Sequence, residues 1–254
     1  MTIRIPRVLP AVAALMLTAL GATGPSYAAH QQRAGSLTGA PTVGACSVMT
    51  AAQAAAAVDR STVVSCSQQH TAEVAGVVKL PSGLRWSQAT RADLYRVIAD
   101  RCLPYVAATL GRDTRTRDSS AYDFVWFEPT KTQRSQGARW LSCSVIRPKG
   151  ADLITLPTST TPFLPSGRLR DGVARCMTRT GDRTPCSAGH LWRATGSFVV
   201  TGRYPGRKAL NRKADTRCRT RVTAGKPYRW TYWDKTTWNV GHDHVVVCFS
   251  RTRS

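Results

Sequence analysis

The pattern of apolar and polar positions predicts similar strands in both halves of the chain. An aliphatic, β-branched run at residues 72–80 ends at Pro81-Ser82-Gly83, and a second run at residues 195–201 ends at Gly202. Runs of this length between turn residues are typical of β-strands. Four later segments also have strand composition, namely residues 122–128, 138–146, 227–234 and 244–250.

Helical spacing occurs once in each half. Both predicted helices place apolar residues four positions apart: Leu94, Ile98 and Cys102 within residues 90–110, and Leu210, Ala214 and Cys218 in the second half. Proline disrupts helix interiors, so Pro104 is expected to kink or end the first helix. The cysteine of each helix is therefore predicted to point inward.

A pentapeptide that occurs twice shows that the two halves are related. It reads Cys66-Ser67-Gln68-Gln69-His70 in the first half and Cys186-Ser187-Ala188-Gly189-His190 in the second. A glycine follows the first cysteine of each copy by ten residues, at Gly76 and Gly196. The interval from Trp126 to Gly137 is 11 residues, as is that from Trp230 to Gly241. Agreement at this many offsets indicates an internal repeat.

The N-terminal residues 1–28 have the features of a secretory signal peptide. Arg4 and Arg7 precede an apolar run from Val8 to Leu20, and small residues follow at Ser26 and Ala28. This run is too short for a membrane span, so none is expected after cleavage. Residues 29–42 lack periodicity and are predicted to be a flexible leader. The mature protein is therefore expected to be secreted or associated with the cell wall.

Export determines how the eight cysteines are interpreted. In an oxidising compartment an even number of cysteines predicts disulfides rather than metal or redox chemistry. Each half contains four: Cys46, Cys66, Cys102 and Cys143 in the first, and Cys176, Cys186, Cys218 and Cys248 in the second. Four cysteines allow three pairings, and the sequence does not select one. Bridges within each half are the expectation.

The predicted fold is α+β, with two tandem disulfide-stapled modules of mainly antiparallel strands and one helix each. We place the modules at residues 43–147 and 171–254. Between them, residues 148–170 contain several Pro and Gly and the run Thr158-Ser159-Thr160-Thr161, which is typical of a linker.

Several motifs resemble one known family. Val43-Gly44-x-Cys46 is followed by Val63 to His70 with x-Ala72-Glu73-Val74, and later by Glu128-Pro129-Thr130 and Gly137-x-Arg139-x-x-x-Cys143. This order resembles the septum formation domain of exported and membrane-anchored actinobacterial proteins, in two tandem copies of which the second is more divergent. The chain departs from the family at Ala45 and Gln69, where Asp and Pro are usual. The resemblance implies an envelope protein, and a septation role follows from the family name.

Charge is strongly positive and unevenly distributed. The formal net charge is +22. Residues 41–150 contain 14 basic and 8 acidic residues, a net +6, whereas residues 151–254 contain 19 and 6, a net +13. The densest cluster is a predicted polyanion-binding surface: Arg203, Arg207, Lys208, Arg212, Lys213, Arg217, Arg219 and Arg221. Such a surface attracts anionic wall polymers or lipid headgroups, and nucleic acid only non-specifically. A solvated face that keeps the protein soluble is the alternative.

The histidines are the other candidates for chemistry. His70 and His190 are repeated, but Glu73, the carboxylate nearest His70, is replaced by Arg193 in the second half. We therefore expect each imidazole to bond to backbone beside a bridge rather than to act as a base. His242 and His244 would point the same way if they lay on a strand, yet a zinc site needs a third ligand, which the sequence does not supply. No metal or cofactor is expected.

The sequence favours an exported, non-catalytic cell-envelope protein that binds an anionic wall or surface polymer. The alternative is a secreted hydrolase of wall polymer or nucleic acid that uses His190 or the pair His242 and His244. A third possibility is a structural partner of a division complex. The ligand and the oligomeric state are left open.

Overall fold

The computed structural model describes residues 36–111, 113–158, 163–164 and 168–252, which lie in one compact unit. The predicted signal peptide and residues 29–35 of the predicted leader lie outside the described residues. Residues 36–42 of that leader contact the first half: Trp140 Nε1 donates to the Thr38 carbonyl at 2.9 Å, and Gln133 Nε2 donates to the Gly39 carbonyl at 3.0 Å.

The first half forms a five-stranded sheet in which every pairing is antiparallel. Its strands have the order β2-β1-β3-β5-β4. The elements in chain order are β1 (Cys46–Val48), α1 (Ala51–Ala54), β2 (Thr62–Val64), β3 (Ala72–Lys79), α2 (Arg91–Arg101), α3 (Leu103–Leu110), α4 (Thr114–Asp118), β4 (Asp123–Phe127), α5 (Lys131–Ser135) and β5 (Trp140–Ile146).

The second half forms an equivalent sheet. A hairpin precedes it, made of β6 (Pro148–Lys149) and β7 (Asp152–Leu153). The elements that follow are β8 (Arg175–Met177), β9 (Arg183–Pro185), β10 (Trp192–Val199), α6 (Arg207–Arg219), β11 (Tyr228–Tyr232), α7 (Lys235–Asn239) and β12 (Val245–Arg251). The strand order β9-β8-β10-β12-β11 repeats that of the first sheet. The predicted α+β fold with two sheet-based modules is confirmed.

Both repeated glycines lie at an irregularity of the long strand. The register of β3 against β5 shifts between Val74 and Gly76, and that of β10 against β12 shifts between Ala194 and Gly196. A β-bulge bends a strand and is commonly retained as a designed feature. At Gly76 an added Cβ would lie 2.6 Å from the Tyr105 ring, so the bulge places the strand close to α3.

The long helix predicted at residues 90–110 is divided at Cys102. Helix α2 begins after Thr90, whose side chain accepts a hydrogen bond from Asp93 N, and α3 begins at Leu103. Pro104 falls in the first turn of α3, where its missing N–H costs no intrahelical bond. The expected interruption by Pro104 is therefore observed.

Four disulfides connect the cysteines in consecutive pairs. The bridges are Cys46–Cys66, Cys102–Cys143, Cys176–Cys186 and Cys218–Cys248. Each bridge joins two cysteines of the same half, as expected. The third cysteine of each half faces inward and joins its helix to a central strand of the sheet.

The segment predicted as a linker contributes to the first core. Leu156, Phe163 and Leu164 are buried with residues of β3, α2, α3 and β5. The Leu156 amide also donates to the His70 carbonyl at 2.8 Å. This segment contains four Pro and two Gly, yet several of its apolar side chains pack against the first sheet.

Several side chains join the two halves. Tyr95 of α2 lies 2.6 Å, oxygen to oxygen, from Thr237 of α7. Arg115 of α4 donates to the Ser197 carbonyl of β10 at 2.9 Å. Gly241 is packed so closely that an added Cβ would lie 2.4 Å from Leu103 Cδ1 and 3.2 Å from the Ala99 carbonyl oxygen. Glycine therefore permits α7 to approach α2 and α3.

Substitution of Gly241 tests this packing. Gly241→Ala is expected to lower the free energy of unfolding by about 1–3 kcal/mol, because an overpacked contact forces backbone to shift. Thermal denaturation followed by circular dichroism measures the change. Gly189→Ala is the control, since no atom lies within 4 Å of its added Cβ. Equal melting temperatures for the two variants would contradict the role assigned to Gly241.

Candidate functional site

The basic cluster of the second half lies on and beside helix α6. Leu210, Ala214 and Cys218 of this helix are completely buried against the sheet. All eight cations of the predicted surface are exposed: Arg203, Arg207, Lys208, Arg212, Lys213, Arg217, Arg219 and Arg221. The helix therefore presents its charged side to solvent, and we call these eight residues the basic face.

Acidic partners are scarce at the basic face. Among the residues that the structure describes, Asp215 alone forms an ion pair with it, to Arg219 at 3.2 Å. Tyr228 Oη also donates to Asp215 at 2.6 Å, and both interactions lower the pKa of this carboxyl, the Tyr228 hydrogen bond most. Arg217 and Arg221 lie over the Phe198 ring at 5.2 and 5.3 Å. The remaining cations have no carboxylate partner in the described part of the chain.

The two repeated histidines have the same local geometry. The Nδ1 atom of His70 lies 2.8 Å from the Gln68 carbonyl oxygen, and that of His190 lies 2.8 Å from the Ala188 carbonyl oxygen. The His70 ring lies beside Cys46 of the bridge in its own half. His70 is 1% exposed, whereas His190 is partly exposed.

The placement of His242 and His244 differs from the expectation. Both precede β12, which begins at Val245, and His242 has a positive φ of 52°. The alternation of a strand therefore does not orient the pair, and that premise of the zinc hypothesis was wrong. His244 Nε2 lies 2.8 Å from the Trp238 carbonyl oxygen, and its ring stacks on Trp238 at 5.0 Å.

Sequence reasoning missed a cavity where the halves meet. It encloses about 230 Å³. Its apolar wall comes from α2, α3 and β4, and Trp233 and Gly241 close it from the second half. Two buried carboxyl groups line it, Asp118 at the end of α4 and Asp243 before β12. Neither belongs to a recognisable motif, and only folding brings them together.

Burial controls the charge of these two carboxyl groups. Desolvation, together with the neighbouring Asp243, raises the pKa of Asp118 to about 7. Arg175, Arg183 and a hydrogen bond from Trp233 Nε1 at 3.0 Å oppose this rise. Desolvation also raises the pKa of Asp243, although the Val245 amide and Arg117 favour its ionised form. Because the two carboxyl groups are buried close to each other, they retain one proton at pH values well above the usual pKa of a carboxyl.

The pKa of the partly buried Arg175, which lies beside Asp118, is perturbed in the opposite direction. Desolvation and the nearby Arg183 lower the pKa of Arg175 to about 9, although Asp118 and Asp123 oppose the change. Arg183 forms an ion pair with Asp123 at 3.4 Å and donates to the Tyr122 carbonyl. The junction between the halves therefore contains two arginines and several carboxyl groups, of which Asp118 has a pKa near neutral pH.

The chain is made of two small disulfide-stapled modules, each built on a five-stranded sheet. The second module also carries the basic helix α6. Such bridges are typical of proteins in an extracellular or envelope compartment. The chain belongs to the septum formation family, whose profile matches residues 17–143 and 43–248. The two overlapping matches are consistent with two copies of the domain. No curated protein and no solved structure matches the chain.

Among the helices that the structure describes, none combines the length and the apolar character needed to cross a bilayer.

Replacement of Asp118 tests the charge of the junction. A carboxyl whose folded pKa is raised contributes stability that is fully present below its unfolded pKa near 4, and that is lost as the pH rises through about 7. Asp118→Asn removes the titration but keeps an acceptor for Trp233. We therefore expect the variant to lose less stability than the native protein between about pH 4 and 7.

Urea unfolding at several pH values measures this difference. Asp152→Asn, at an exposed position of β7, is the control and should keep the native pH dependence. Parallel stability profiles for Asp118→Asn and the native protein would exclude the assigned titration.

Proposed function

We propose that the chain is an exported, non-catalytic protein of the cell envelope that binds an anionic wall or surface polymer through the basic face. Membership of the septum formation family indicates a septation-related envelope protein. Four disulfides agree with that compartment. The observation that carries the proposal is the exposure of eight cations with one paired carboxylate among them.

Electrostatic repulsion within the basic face favours an external anion. Like charges four residues apart on a helix destabilise it, and Lys208 and Arg212, and also Lys213 and Arg217, have this spacing. A bound polyanion replaces repulsion by attraction and releases counterions, so its affinity falls as salt is added. The charge pattern of the basic face therefore favours the binding of an anion.

The length of the basic face favours a polymer over a single small anion. Helix α6 contains 13 residues, which corresponds to about 20 Å at a rise of 1.5 Å per residue. Repeated phosphates or carboxylates along a chain can contact several of these cations simultaneously. Six of the eight are arginines, which bind phosphate in a bidentate manner. A teichoic-acid-like phosphate polymer fits these requirements.

Charge reversal on α6 tests the proposal. The double variant Arg212→Glu with Lys213→Glu is expected to lose about tenfold or more in affinity for purified wall material at low salt, because each lost contact removes a released counterion. The slope of log affinity against log salt should become shallower by about two. Pull-down between about 50 and 300 mM salt measures both quantities.

A matched variant separates the location of the charge from its amount. Arg60→Glu with Arg96→Glu makes the same change in net charge at exposed positions of the first half. This control should retain most of the binding. Equal losses in the two variants would show that net charge alone causes retention, and salt-insensitive binding would contradict the electrostatic mechanism altogether.

The same preparation tests the alternative hydrolase. Release of soluble fragments from peptidoglycan or RNA, abolished by His190→Ala or His242→Ala, would favour a catalytic function over the one proposed. Absence of both turnover and wall binding would instead favour a structural partner in the division complex.

A further inference from the structure

The bridge between Cys46 and Cys66 is more accessible than the other three. Seven of the eight cysteines are buried, and the most exposed of those seven is Cys186 at 6%. Cys66 is the exception, being partly exposed in the turn after β2, whereas its partner Cys46 is completely buried. An external thiolate can therefore reach one sulfur of this bridge and not the other.

A buried imidazole and a half-buried carboxylate adjoin the inner sulfur. Cys46 Sγ, one ring nitrogen of His70 and one carboxylate oxygen of Glu73 all lie within 4.8 Å of one another. Cys46 and Glu73 are directly opposite each other on β1 and β3, so their side chains share one face of the sheet. The sheet register therefore fixes the carboxylate beside the sulfur.

The orientation of His70 leaves one nitrogen available. Because Nδ1 faces the Gln68 carbonyl oxygen, Nδ1 carries the proton in the neutral ring and Nε2 is the basic atom. This Nε2 atom is buried and has no hydrogen-bond partner among the residues that the structure describes. A buried nitrogen without a partner is costly in a native protein and calls for an explanation. A proton relay between this nitrogen and the adjacent sulfur and carboxylate explains why it has no fixed partner.

The second half provides an internal comparison. There the equivalent bridge, Cys176–Cys186, has both sulfur-bearing residues buried. Glu73 is replaced by Arg193, which is paired with Asp171. Within the described part of the chain, the grouping of cysteine, histidine and carboxylate occurs in the first half alone. Both halves thus retain a bridge, but they differ in the charged groups that surround it.

We propose that the Cys46–Cys66 bridge is redox-active and exchanges with dithiols of other proteins or peptides in the envelope. Cys66 is the sulfur that is attacked, and Cys46 is the leaving group. His70 and Glu73 supply the proton that the leaving sulfur requires.

The exchange proceeds in two balanced steps. In the first, a substrate thiolate forms a bond to Cys66 Sγ while the Sγ–Sγ bond breaks, and the electron pair passes to Cys46 Sγ. That thiolate takes the proton that Glu73 and the Nε2 atom of His70 share, which leaves Glu73 ionised and the ring neutral. In the second, the other substrate thiolate attacks the substrate sulfur of the mixed disulfide and releases Cys66 as a thiolate, which takes a proton from solvent. The dithiol is oxidised to a disulfide, and the bridge is reduced by two electrons to two thiols.

The surroundings of His70 agree with proton exchange. Glu73, from β3, is the charged group that interacts with this ring, while β1 contributes Cys46 and the segment after β7 contributes the backbone of Leu156. Burial raises the pKa of Glu73, and the charge of His70 opposes that rise. The two side chains are thus able to share a proton close to the sulfur.

Reduction of the oxidised full-length protein by dithiothreitol tests the proposal. Time points are quenched by alkylation, and peptide mass spectrometry gives the reduction rate of each bridge between about pH 6 and 8.5. In the native protein we expect Cys46–Cys66 to be reduced at least about tenfold faster than Cys176–Cys186, because its attacked sulfur is accessible and its leaving thiolate is protonated. Equal rates for the two bridges would overturn the proposal.

A substitution at His70 separates proton transfer from simple exposure. His70→Asn retains a donor to the Gln68 carbonyl but removes the basic Nε2 atom. We expect its Cys46–Cys66 reduction to slow about tenfold near pH 6, because the proton is no longer delivered to the Cys46 thiolate, and we expect the pH dependence of its rate to differ from that of the native protein. His190→Asn is the matched control and should leave both rates unchanged. An unaltered pH profile in His70→Asn would contradict the relay, and Glu73→Gln provides the same test if His70→Asn does not fold.

Discussion

The covalent link between Cys218 of α6 and Cys248 of β12 is the contact on which the basic face depends. An isolated helix with this sequence would be destabilised by its own charges, since cations repeat four residues apart with a single carboxylate between them. Three buried residues and one bridge hold it against the second sheet instead. This disulfide stabilises a helix whose charged surface would make it unstable if only helix propensity and packing held it in place.

The long elements of both sheets could be predicted from the sequence because their signals are local. Residues 72–80, for example, are a mainly aliphatic run that ends at turn residues, and the structure places β3 at Ala72–Lys79. The inward position of Cys102 and Cys218 followed from helical spacing in the same way. Short strands such as β8 and β9 were not found, because three residues carry too little periodicity to distinguish a strand from a loop.

Features that depend on distant residues could not be anticipated. Asp118 and Asp243 come from opposite halves of the chain, and their shared burial arises only when α4 packs near the start of β12. Leu156 and Phe163 lie among prolines and were assigned to a linker by composition, although both are buried in the first core. The exposure of Cys66 relative to Cys186 likewise has no local signal, since the two pentapeptides begin with the same Cys-Ser pair.

Helix α4 belongs to the first half by sequence but packs on β10 and β12 of the second, and Ser120 forms a β-bridge with Ala174. Either copy expressed alone would expose part of a sheet or a helix that the intact chain covers. After the ancestral domain was duplicated, such mutual coverage would have made later loss of one copy costly. The pair is thus expected to be inherited as one indivisible unit, while each copy remains free to diverge in the side chains that face solvent.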